Sequence, residues 1–270
     1  MKKYLVIGNP IEHSLSPKLH NHWIKANKIN AIYEKKKLNE NEIKDLIRDV
    51  KDEKIGGLNV TVPFKQKVIP YLDEITSQAK ETQSVNTIYL GANGTVGHNT
   101  DIDGFETSLK DSDLLGQSSF NVKDKNIFIL GAGGVVPSII FALKKLKAQS
   151  ITISNRTQEK AFNLKKIFNN VKIVEWGKVP NFDMIINATS LGLNVEDKIN
   201  LDFSKAKNKF FYDVIYNPSE TNFLKVGKKF GNKVCNGRFM FIHQAYYAFA
   251  IWHNVFPKID DEVIGLLDND

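Results

Sequence analysis

A glycine-rich turn between an apolar strand and an apolar helix constrains the fold of this 270-residue chain more than any other feature. Residues 126–146 read NIFILGAGGVVPSIIFALKKL, so a buried-looking strand leads through the turn 131–134 into a helical segment. Glycines at such a turn let backbone N–H groups approach a pyrophosphate at the start of the helix. Pro137 falls in the first helical turn, where its missing N–H is harmless. The segment predicts a dinucleotide-binding α/β domain whose helix begins near Gly134, although Val136 occupies the sixth position of the G-x-G-x-x-G pattern.

The residues after the next predicted strand bear on the choice of dinucleotide. The strand SITIS at 150–154 ends in Asn155-Arg156-Thr157, with Lys160 one turn later and no carboxylate before Glu159. An NAD site has an acid about 20 residues past the glycines that binds the ribose 2′-hydroxyl, whereas a guanidinium suits a 2′-phosphate. Arg156 also fits an ordinary solvated loop arginine. The missing acid together with the arginine favours NADP.

Short apolar runs alternate with helical segments along the whole chain, which is typical of a mainly parallel sheet covered by helices. Asn39 followed by Glu42 resembles a capping box before an amphipathic helix. The polar segment 110–124 lacks periodicity and indicates a boundary or surface connection. We therefore predict an α/β protein of two domains, divided as 1–103, a Rossmann-type domain over 104–237, and carboxyl-terminal helices over 238–270 that return to the first domain. Predicted strands of the first domain cover 4–8, 31–37, 57–62, 84–90 and 95–98, and the last two are expected to pair around the turn GANG at 91–94. Predicted helices of the chain include 17–28, 158–168 and 238–254.

The amino-acid composition narrows the cellular compartments and the binding partners that fit this protein. Hydrophobic residues make up 42% and charged residues 25% of the chain, as in globular proteins. Cys235 is the single cysteine, which excludes a disulfide framework and fits a reducing cytoplasm. The first apolar run ends after Ile7, too early for a secretion signal or a membrane span. A net charge of +7 permits a nucleic-acid partner or an anionic small molecule. The lysines are scattered and no nucleic-acid-binding motif accompanies them, so we expect an ordinary lysine-rich and asparagine-rich surface.

The stretch NVTVPFK at 59–65 runs from a predicted buried strand into a lysine. We expect Val60 and Val62 in the core and Pro63 at the end of the strand. A lysine there can simply be a solvated charge that protects an edge strand from pairing. However, the polar group Asn99-Thr100-Asp101 also follows a strand, and Asn86 follows the strand-like start of another. Since ligands of open α/β sheets bind at strand ends, Lys65, Asn86 and Asp101 are candidates for one site.

Nine motifs occur in the order found in the shikimate dehydrogenase family, which the chain resembles closely over nearly its whole length. They are GNPIEHSLSPKLHN (8–21), NVTVPFK (59–65), SVNTI (84–88), HNTDIDGF (98–105), GAGG (131–134), NRT (155–157), NATSLG (187–192), DVIYNPSET (213–221) and NGRFMFIHQA (236–245). The combination of S-x-S-P, N-x-T-x-P-x-K, V-N-T and N-T-D is highly specific to the family. The GAGG and NRT motifs are shared with other Rossmann enzymes.

The resemblance implies an oxidoreductase that reversibly reduces 3-dehydroshikimate to shikimate with NADPH, in the pathway to chorismate and the aromatic amino acids. It implies a substrate-binding amino-terminal domain and an NADP-binding Rossmann domain. Lys65 and Asp101 are the implied catalytic pair. The implied substrate-binding residues are Ser14, Ser16, Thr61, Lys65, Asn86, Asp101, Tyr216 and Gln244. The implied cofactor-binding residues are Gly131, Ala132, Gly133, Gly134, Val135, Asn155, Arg156, Thr157, Lys160, Thr189, Val214 and Gly237, with Val214 standing where the family often has methionine.

Elementary chemistry agrees with these roles and leaves some alternatives open. Hydride delivery to a ketone leaves an alkoxide that needs a proton, which an ammonium or a carboxylic acid can supply, and the sequence does not distinguish Lys65 from Asp101 as the donor. Ser16 before Pro17 is also a helix cap by its residue type. By composition alone, Tyr216 and Gln244 are more often surface or core-polar residues.

Two further functions fit parts of the pattern. One is an NAD-using quinate/shikimate dehydrogenase, and the other is a nucleotide-sensing module without turnover. The six histidines show no metal-ligand spacing, so no metal is expected. The expected partners are the small-molecule substrate and NADP, without nucleic acid or membrane, in a monomer or homodimer.

Overall fold

The computed structural model of the protein describes residues 1–111, 119–194 and 196–267. The chain divides into two compact units. The first unit is Met1–Asp101 together with Gln244–Asp270, and the second unit is Ile102–His243. The predicted functional domains divide instead at 103 and 237, and the roles assigned to them stay a prediction. Residues 112–118 of the predicted boundary segment lie outside the described residues.

The first unit contains a mixed six-stranded sheet. Its strands are β1 (Lys2–Gly8), β2 (Ala31–Lys37), β3 (Gly57–Val60), β4 (Glu74–Ile75), β5 (Thr87–Gly91) and β6 (Gly94–His98), in the order β2-β1-β3-β5-β6-β4. Its first helices are α1 (Ser16–Ala26), α2 (Ile43–Lys51) and α3 (Ser77–Thr82). Strands β1, β2 and β3 are parallel, and so are β4 and β6, whereas β5 is antiparallel to both β3 and β6. The predicted capping box is confirmed, since the Glu42 carboxylate accepts from the Asn39 N–H at 2.8 Å.

Strand β3 differs from its prediction at one end. It stops at Val60, and the Phe64 N–H donates to the Thr61 carbonyl at 2.9 Å, so the chain turns away from the strand direction. The expectation that Val62 is buried is therefore wrong, because that side chain is 54% exposed and Phe64 enters the core instead. The edge-strand interpretation is also wrong, because β3 lies between β1 and β5.

The chain enters the second unit within α4 (Asp101–Asp111). The second unit has a parallel six-stranded sheet of β7 (Asn126–Leu130), β8 (Ser150–Ser154), β9 (Val171–Val174), β10 (Met184–Asn187), β11 (Phe210–Asp213) and β12 (Lys233–Cys235). Its connecting helices are α5 (Val136–Lys145), α6 (Gln158–Ile167) and α7 (Asn222–Lys229). The order β9-β8-β7-β10-β11-β12 is that of the doubly wound dinucleotide-binding fold. The predicted α/β fold class, with two parallel-rich sheets, is confirmed.

Both faces of the second sheet are covered by apolar side chains. Ile127 and Ile129 of β7 belong to the core that contains α5 and α6, whereas Phe128 and Leu130 belong to the core that contains α7. This alternation follows from the two-residue period of a strand and explains why the sheet strands are continuously apolar.

Helix α8 (Arg238–His253) and helix α9 (Asp261–Gly265) complete the chain. The part of α8 after His243 belongs to the first unit, where the Trp252 indole N–H donates to the Ile88 carbonyl at 3.1 Å. The Trp23 indole likewise donates to the Lys258 carbonyl at 2.9 Å. None of the helices in 1–111, 119–194 and 196–267 is long and apolar enough to cross a membrane.

Candidate active site

A lysine and an aspartate of the first unit form a close, largely buried ion pair. The Lys65 Nζ lies 2.5 Å from Asp101 Oδ2, and the two side chains are only 12% and 9% exposed. Lys65 follows the turn after β3, and Asp101 is the first residue of α4, directly after the Asn99-Thr100 link from β6. In such partly desolvated surroundings a charge pair interacts more strongly than it does in water.

The sheet register explains why these residues meet. Asn59 of β3 pairs with Thr87 of β5, which pairs in turn with His98 of β6. Because β5 is antiparallel to both neighbours, the start of β5 lies beside the ends of β3 and β6. The predicted convergence of Lys65, Asn86 and Asp101 is thus confirmed, and the catalytic role of the pair stays a prediction.

Asn86 connects the aspartate to the sheet. Its Oδ1 accepts from the Thr100 backbone N–H at 2.8 Å, and its Nδ2 donates to Asp101 Oδ1 at 3.0 Å. A backbone N–H can only donate, so this contact sets the orientation of the amide and leaves the NH₂ group facing the carboxylate. The Val85 N–H also donates to the Lys65 carbonyl at 2.9 Å, which anchors the lysine loop to the same edge.

The serines predicted to bind substrate lie at the start of α1. Ser16 is buried and is the first helical residue, and its N–H points to Ser14 Oγ at 3.4 Å. The expectation that Ser16 caps the helix is wrong, because Leu15 holds the cap position and makes no side-chain capping bond. The Ser16 hydroxyl instead donates to the Tyr33 hydroxyl, which opposes the rise in the Tyr33 pKa that burial causes. The start of a helix favours an anion because the helix dipole is positive there.

The remaining predicted substrate residues are divided between the units. Thr61 is partly buried in the first unit, and a side-chain carbon added to Gly8 would lie 2.6 Å from its methyl group. Gln244 belongs to the first unit and Tyr216 to the second. The Tyr216 ring stacks on Phe241 with centroids 4.4 Å apart, and burial raises its pKa to about 12. Tyr216 therefore stays a neutral hydroxyl donor at physiological pH.

The glycine turn of the second unit has the close backbone approach that its sequence predicts. Gly131 has φ of +108°, and a side-chain carbon there would lie 2.6 Å from the Ala188 carbonyl oxygen. Gly133 and Gly134 are exposed at the start of α5, with Val135 at the cap position. Helix α5 begins at Val136, two residues after the predicted start, because the Val136 N–H still forms a turn with the Gly133 carbonyl.

The turn after β8 exposes the predicted cationic residues. Arg156, Thr157 and Lys160 are exposed, while the Asn155 side chain donates to the Thr157 carbonyl at 2.7 Å. This bond orders the turn just before α6 and leaves the guanidinium and the ammonium facing solvent. The arrangement suits a ligand that brings its own negative charge.

Thr189 and Val214 are held by a buried network at the ends of β10 and β11. Asn187 Oδ1 accepts from the Thr189 hydroxyl at 2.7 Å, and Asn187 Nδ2 donates to Asp213 Oδ1 at 3.1 Å. Burial raises the pKa of Asp213 to about 6, against hydrogen bonds from Thr221, Ile215 and Asn187 that lower it. Gly237 follows β12, and a side-chain carbon there would lie 2.1 Å from the Val214 carbonyl oxygen.

All predicted cofactor residues therefore follow the carboxyl ends of parallel strands in one sheet. The turn 131–135 follows β7, residues 155–160 follow β8, and Thr189, Val214 and Gly237 follow β10, β11 and β12. This is the edge at which doubly wound sheets bind nucleotides, with backbone N–H groups of α5 facing it. The exposed glycines, the small Thr189 and the cationic turn fit a dinucleotide in shape and charge.

The sequence did not point to three residues of the first unit that connect, through hydrogen bonds, to Asn86 beside the Lys65–Asp101 pair. Tyr33, Asn59 and Thr87 are buried in strands β2, β3 and β5, and they are hydrogen-bonded towards Asn86. The available signal was a polar residue within an otherwise buried strand segment, as at Asn59 in GLNV.

The fold and the two sites define the class of protein: an α/β enzyme with a Rossmann unit and a separate lysine–carboxylate centre. A family model described as shikimate dehydrogenase substrate binding domain matches residues 6–88, and one described as shikimate / quinate 5-dehydrogenase matches residues 114–220. The chain belongs to the shikimate dehydrogenase family.

Individual relatives cover the whole chain. A protein of Pelagibacter ubique named shikimate dehydrogenase (NADP(+)) is 58% identical over 99% of both chains. A crystal structure of a shikimate dehydrogenase in complex with NADP⁺ is 35% identical, covers 99% of this chain and 95% of that one, and has a TM-score of 0.89. The Thermus thermophilus shikimate 5-dehydrogenase, in complex with NADP(H) and shikimate, is 27% identical over 99% and 98% of the chains, with a TM-score of 0.86.

Proposed function

We propose that the protein catalyses the reversible reduction of 3-dehydroshikimate to shikimate with NADPH. The observation that carries the proposal is the contact between Lys65 and Asp101 at 2.5 Å, within a chain that is 58% identical to a named NADP-dependent shikimate dehydrogenase. The family motifs and the Rossmann topology of the second unit support the same function.

In the proposed reaction, bound NADPH supplies the hydride that reduces the carbonyl carbon. The Lys65 ammonium donates a hydrogen bond to the carbonyl oxygen and transfers a proton to it as negative charge develops. Asp101 balances the ammonium and orients it, because one carboxylate oxygen contacts Lys65 and the other is held by Asn86. In the oxidation direction Lys65 accepts the hydroxyl proton.

The substrate's other groups have proposed partners as well. Ser14 and Ser16, at the start of α1, bind the carboxylate, where helix N–H groups add a favourable field. The proposed partners of the ring hydroxyls, or of the carboxylate, also include Thr61, Asn86, Tyr216 and Gln244. Each of these side chains offers a hydroxyl or amide, which suits a polyhydroxylated ring better than a charged group would.

The cofactor assignment depends on the turn after β8. Arg156 and Lys160 are exposed cations beyond the strand end, and we propose that Arg156 binds the 2′-phosphate of NADP. The NAD-using alternative expects an acid at this turn, which the sequence lacks. A sensing module without turnover is not favoured either, since it has no need for the close Lys65–Asp101 pair.

The proposed setting is a cytoplasmic enzyme that acts on small molecules as a monomer or homodimer. Its single cysteine, Cys235, is buried, which suits a reducing compartment. The cations are spread over the surface in pairs with acids, such as Lys51 with Asp73, so we propose no nucleic-acid partner.

A spectrophotometric assay at 340 nm tests the function directly. Purified protein is mixed with shikimate or quinate and with NADP⁺ or NAD⁺, and the four combinations are compared. We expect shikimate with NADP⁺ to give the highest kcat/KM. A preference for NAD⁺ would overturn the cofactor assignment, a preference for quinate would overturn the substrate, and absence of reduction in all four would overturn the activity.

A further inference from the structure

A chain of buried hydrogen bonds leads from Tyr33 to the catalytic aspartate. The Tyr33 hydroxyl lies 2.6 Å from Asn59 Oδ1, and Asn59 Nδ2 lies 3.2 Å from Thr87 Oγ1. The Thr87 hydroxyl in turn lies 3.0 Å from Asn86 Oδ1. We call Tyr33, Asn59, Thr87 and Asn86 the donor chain, since it ends where Asn86 donates to Asp101.

Backbone groups set the direction of every bond in the donor chain. Asn59 Nδ2 faces the Asn86 carbonyl oxygen at 3.1 Å, which can only accept, so Asn59 Oδ1 must face Tyr33. The Thr100 N–H sets the amide of Asn86 in the same way. Consequently Tyr33 donates to Asn59, Asn59 to Thr87, Thr87 to Asn86, and Asn86 to the carboxylate.

Because the donor chain is buried, water cannot easily replace a hydrogen-bond partner that one of its side chains loses. Its four side chains range from 0% to 6% exposed. A buried amide that loses one partner bears a desolvation cost, and successive bonds of one direction polarise one another. The His20 ring stacks on Tyr33 with centroids 4.1 Å apart and nearly parallel, which fixes the tyrosine ring at the far end.

We propose that Tyr33 and Thr87 are positioning residues for the reaction, and this inference rests on the proposed function. They act through Asn59 and Asn86 to hold the Asp101 carboxylate, and through it the Lys65 ammonium, at the angle that proton transfer requires. Tyr33 also contacts Ser16, so the donor chain joins the proposed carboxylate-binding serine to the proton-transfer pair. Small displacements of catalytic groups cost large factors in rate.

Substitutions of Thr87 test the proposal against a matched control. Thr87→Val removes the hydroxyl and keeps the shape, whereas Thr87→Ser keeps the hydroxyl. Thr95→Val is the control, because Thr95 is equally buried on β6 but its hydroxyl, among the described residues, bonds to Asp73 and not to the donor chain. We expect kcat for shikimate oxidation to fall roughly 10- to 100-fold in Thr87→Val, with KM for NADP⁺ unchanged, and to recover in Thr87→Ser. A kcat of Thr87→Val equal to that of Thr95→Val would overturn the role of Thr87.

Tyr33→Phe tests the end of the donor chain that is farthest from Asp101. It also decides whether the proposal holds if Thr87→Val does not fold. Its control is Tyr212→Phe, which removes an equally buried hydroxyl that bonds to Ser108 in the second unit. We expect a lower kcat only in Tyr33→Phe. A kcat equal to that of Tyr212→Phe would exclude the positioning role.

A second readout separates this proposal from the proposed function. The rate at which acetic anhydride modifies Lys65 relative to the exposed Lys67 is measured by peptide mass spectrometry, without any substrate. We expect the relative rate to rise severalfold in Thr87→Val and Tyr33→Phe, because a misplaced carboxylate no longer holds the ammonium. Unchanged rates would overturn the positioning role, whereas raised rates in a protein inactive towards shikimate would overturn only the proposed function.

Discussion

At the scale of single residues, the lysine loop offers a direct test of proton transfer. Lys65→Ala removes the ammonium beside Asp101, and we expect kcat for shikimate oxidation to fall by about 10² to 10⁴ with a small change in KM. The expected loss is in kcat because the proton transfer occurs in the transition state. Steady-state kinetics with saturating NADP⁺ measures it.

Lys67→Ala is the matched control for this substitution. Lys67 lies two residues further along the same loop, but its ammonium is exposed and pairs with Glu40. An exposed pair of this kind contributes little, so the control is expected to keep the wild-type kcat. Equal kcat values for the two variants would remove Lys65 from the mechanism.

The proposed preference for NADP over NAD also depends on a single residue, Arg156. Arg156→Ala removes the exposed guanidinium after β8, and we expect KM for NADP⁺ to rise roughly 10- to 100-fold while KM for NAD⁺ stays within about twofold. Only NADP⁺ carries the phosphate that the guanidinium binds. Lys165→Ala, an exposed cation near the end of α6, controls for the general loss of positive charge. A parallel rise for both dinucleotides would contradict the phosphate contact.

The sequence predicted the site residues that lie at the ends of strands, but not those that lie within strands. Lys65, Asn86 and Asp101 were predictable because polar residues after apolar runs mark the ends of strands. Asn59 and Thr87 were not, because their importance depends on which strands are neighbours and in which register. Val62 was misplaced for a local reason: the chain turns after Thr61, and the alternation of a strand stops there.

At the scale of elements, the β7–α5 turn of the second unit has a backbone that only glycine fits. Gly131→Ala puts a methyl group 2.6 Å from the Ala188 carbonyl oxygen, at a φ of +108°. We expect the free energy of unfolding to fall by about 2 to 4 kcal/mol, because the turn and the Ala188 backbone, directly after β10, must move apart. We also expect KM for NADP⁺ to rise, since the moved turn lines the proposed pyrophosphate site. Urea unfolding and steady-state kinetics measure the two effects.

Gly177→Ala separates the steric contact from backbone strain. Gly177 has a nearly equal φ of +104°, but no atom lies within 4 Å of an added side-chain carbon. Its substitution is therefore expected to cost only about 1 kcal/mol, the usual cost of an unfavourable backbone conformation. If Gly131→Ala were no more destabilising than Gly177→Ala, the close approach to the Ala188 carbonyl would be energetically unimportant.

The elements themselves were largely predictable, and so was the pair of β5 and β6 around the turn 91–94. The other strand pairings were not. The period of the apolar residues predicted β1, β2, α6 and α8 to within a few residues. The first sheet nevertheless contains β4, whose two residues are too few to show a period, and the central antiparallel strand β5. Direction and order in a sheet follow from long-range contacts, which a one-dimensional pattern does not contain.

At the scale of the whole molecule, each unit has its own hydrophobic core. The first unit is built around β1, β3, α2 and β5, and the second around both faces of its parallel sheet. A chain of 270 residues is long enough for two such cores, and this was foreseeable from the length and the two series of alternating segments. The division at residue 243, inside α8, was not foreseeable, because the helical pattern is uninterrupted there.

The stability of the first unit should depend on pH through a buried histidine. His20 is fully buried between aromatic rings, and neither ring nitrogen has a hydrogen-bond partner among the described residues. Burial, followed by the charge of His253, lowers the pKa of His20 from 6.5 to about 3. The unfolded chain therefore binds a proton that the folded chain does not between these values. The stability that the neutral ring contributes is complete above pH 6.5 and is lost as the pH falls towards 3.

Replacement of this histidine should flatten the acid side of the stability profile. Between pH 7.5 and pH 5, the unfolded-state protonation of His20 costs about 2 kcal/mol, and His20→Phe removes that loss because phenylalanine takes up no proton. We expect the difference in stability between the two pH values to be smaller by this amount in His20→Phe, while the exposed His13→Gln leaves it unchanged. Urea unfolding followed by the fluorescence of Trp23 and Trp252, in a Trp176→Phe background, reports on the first unit alone, since both remaining indoles belong to it. An equal pH dependence in His20→Phe and the wild type would mean that the ring is hydrated or protonated in the folded protein, and that the aromatic cluster is more open than its packing indicates.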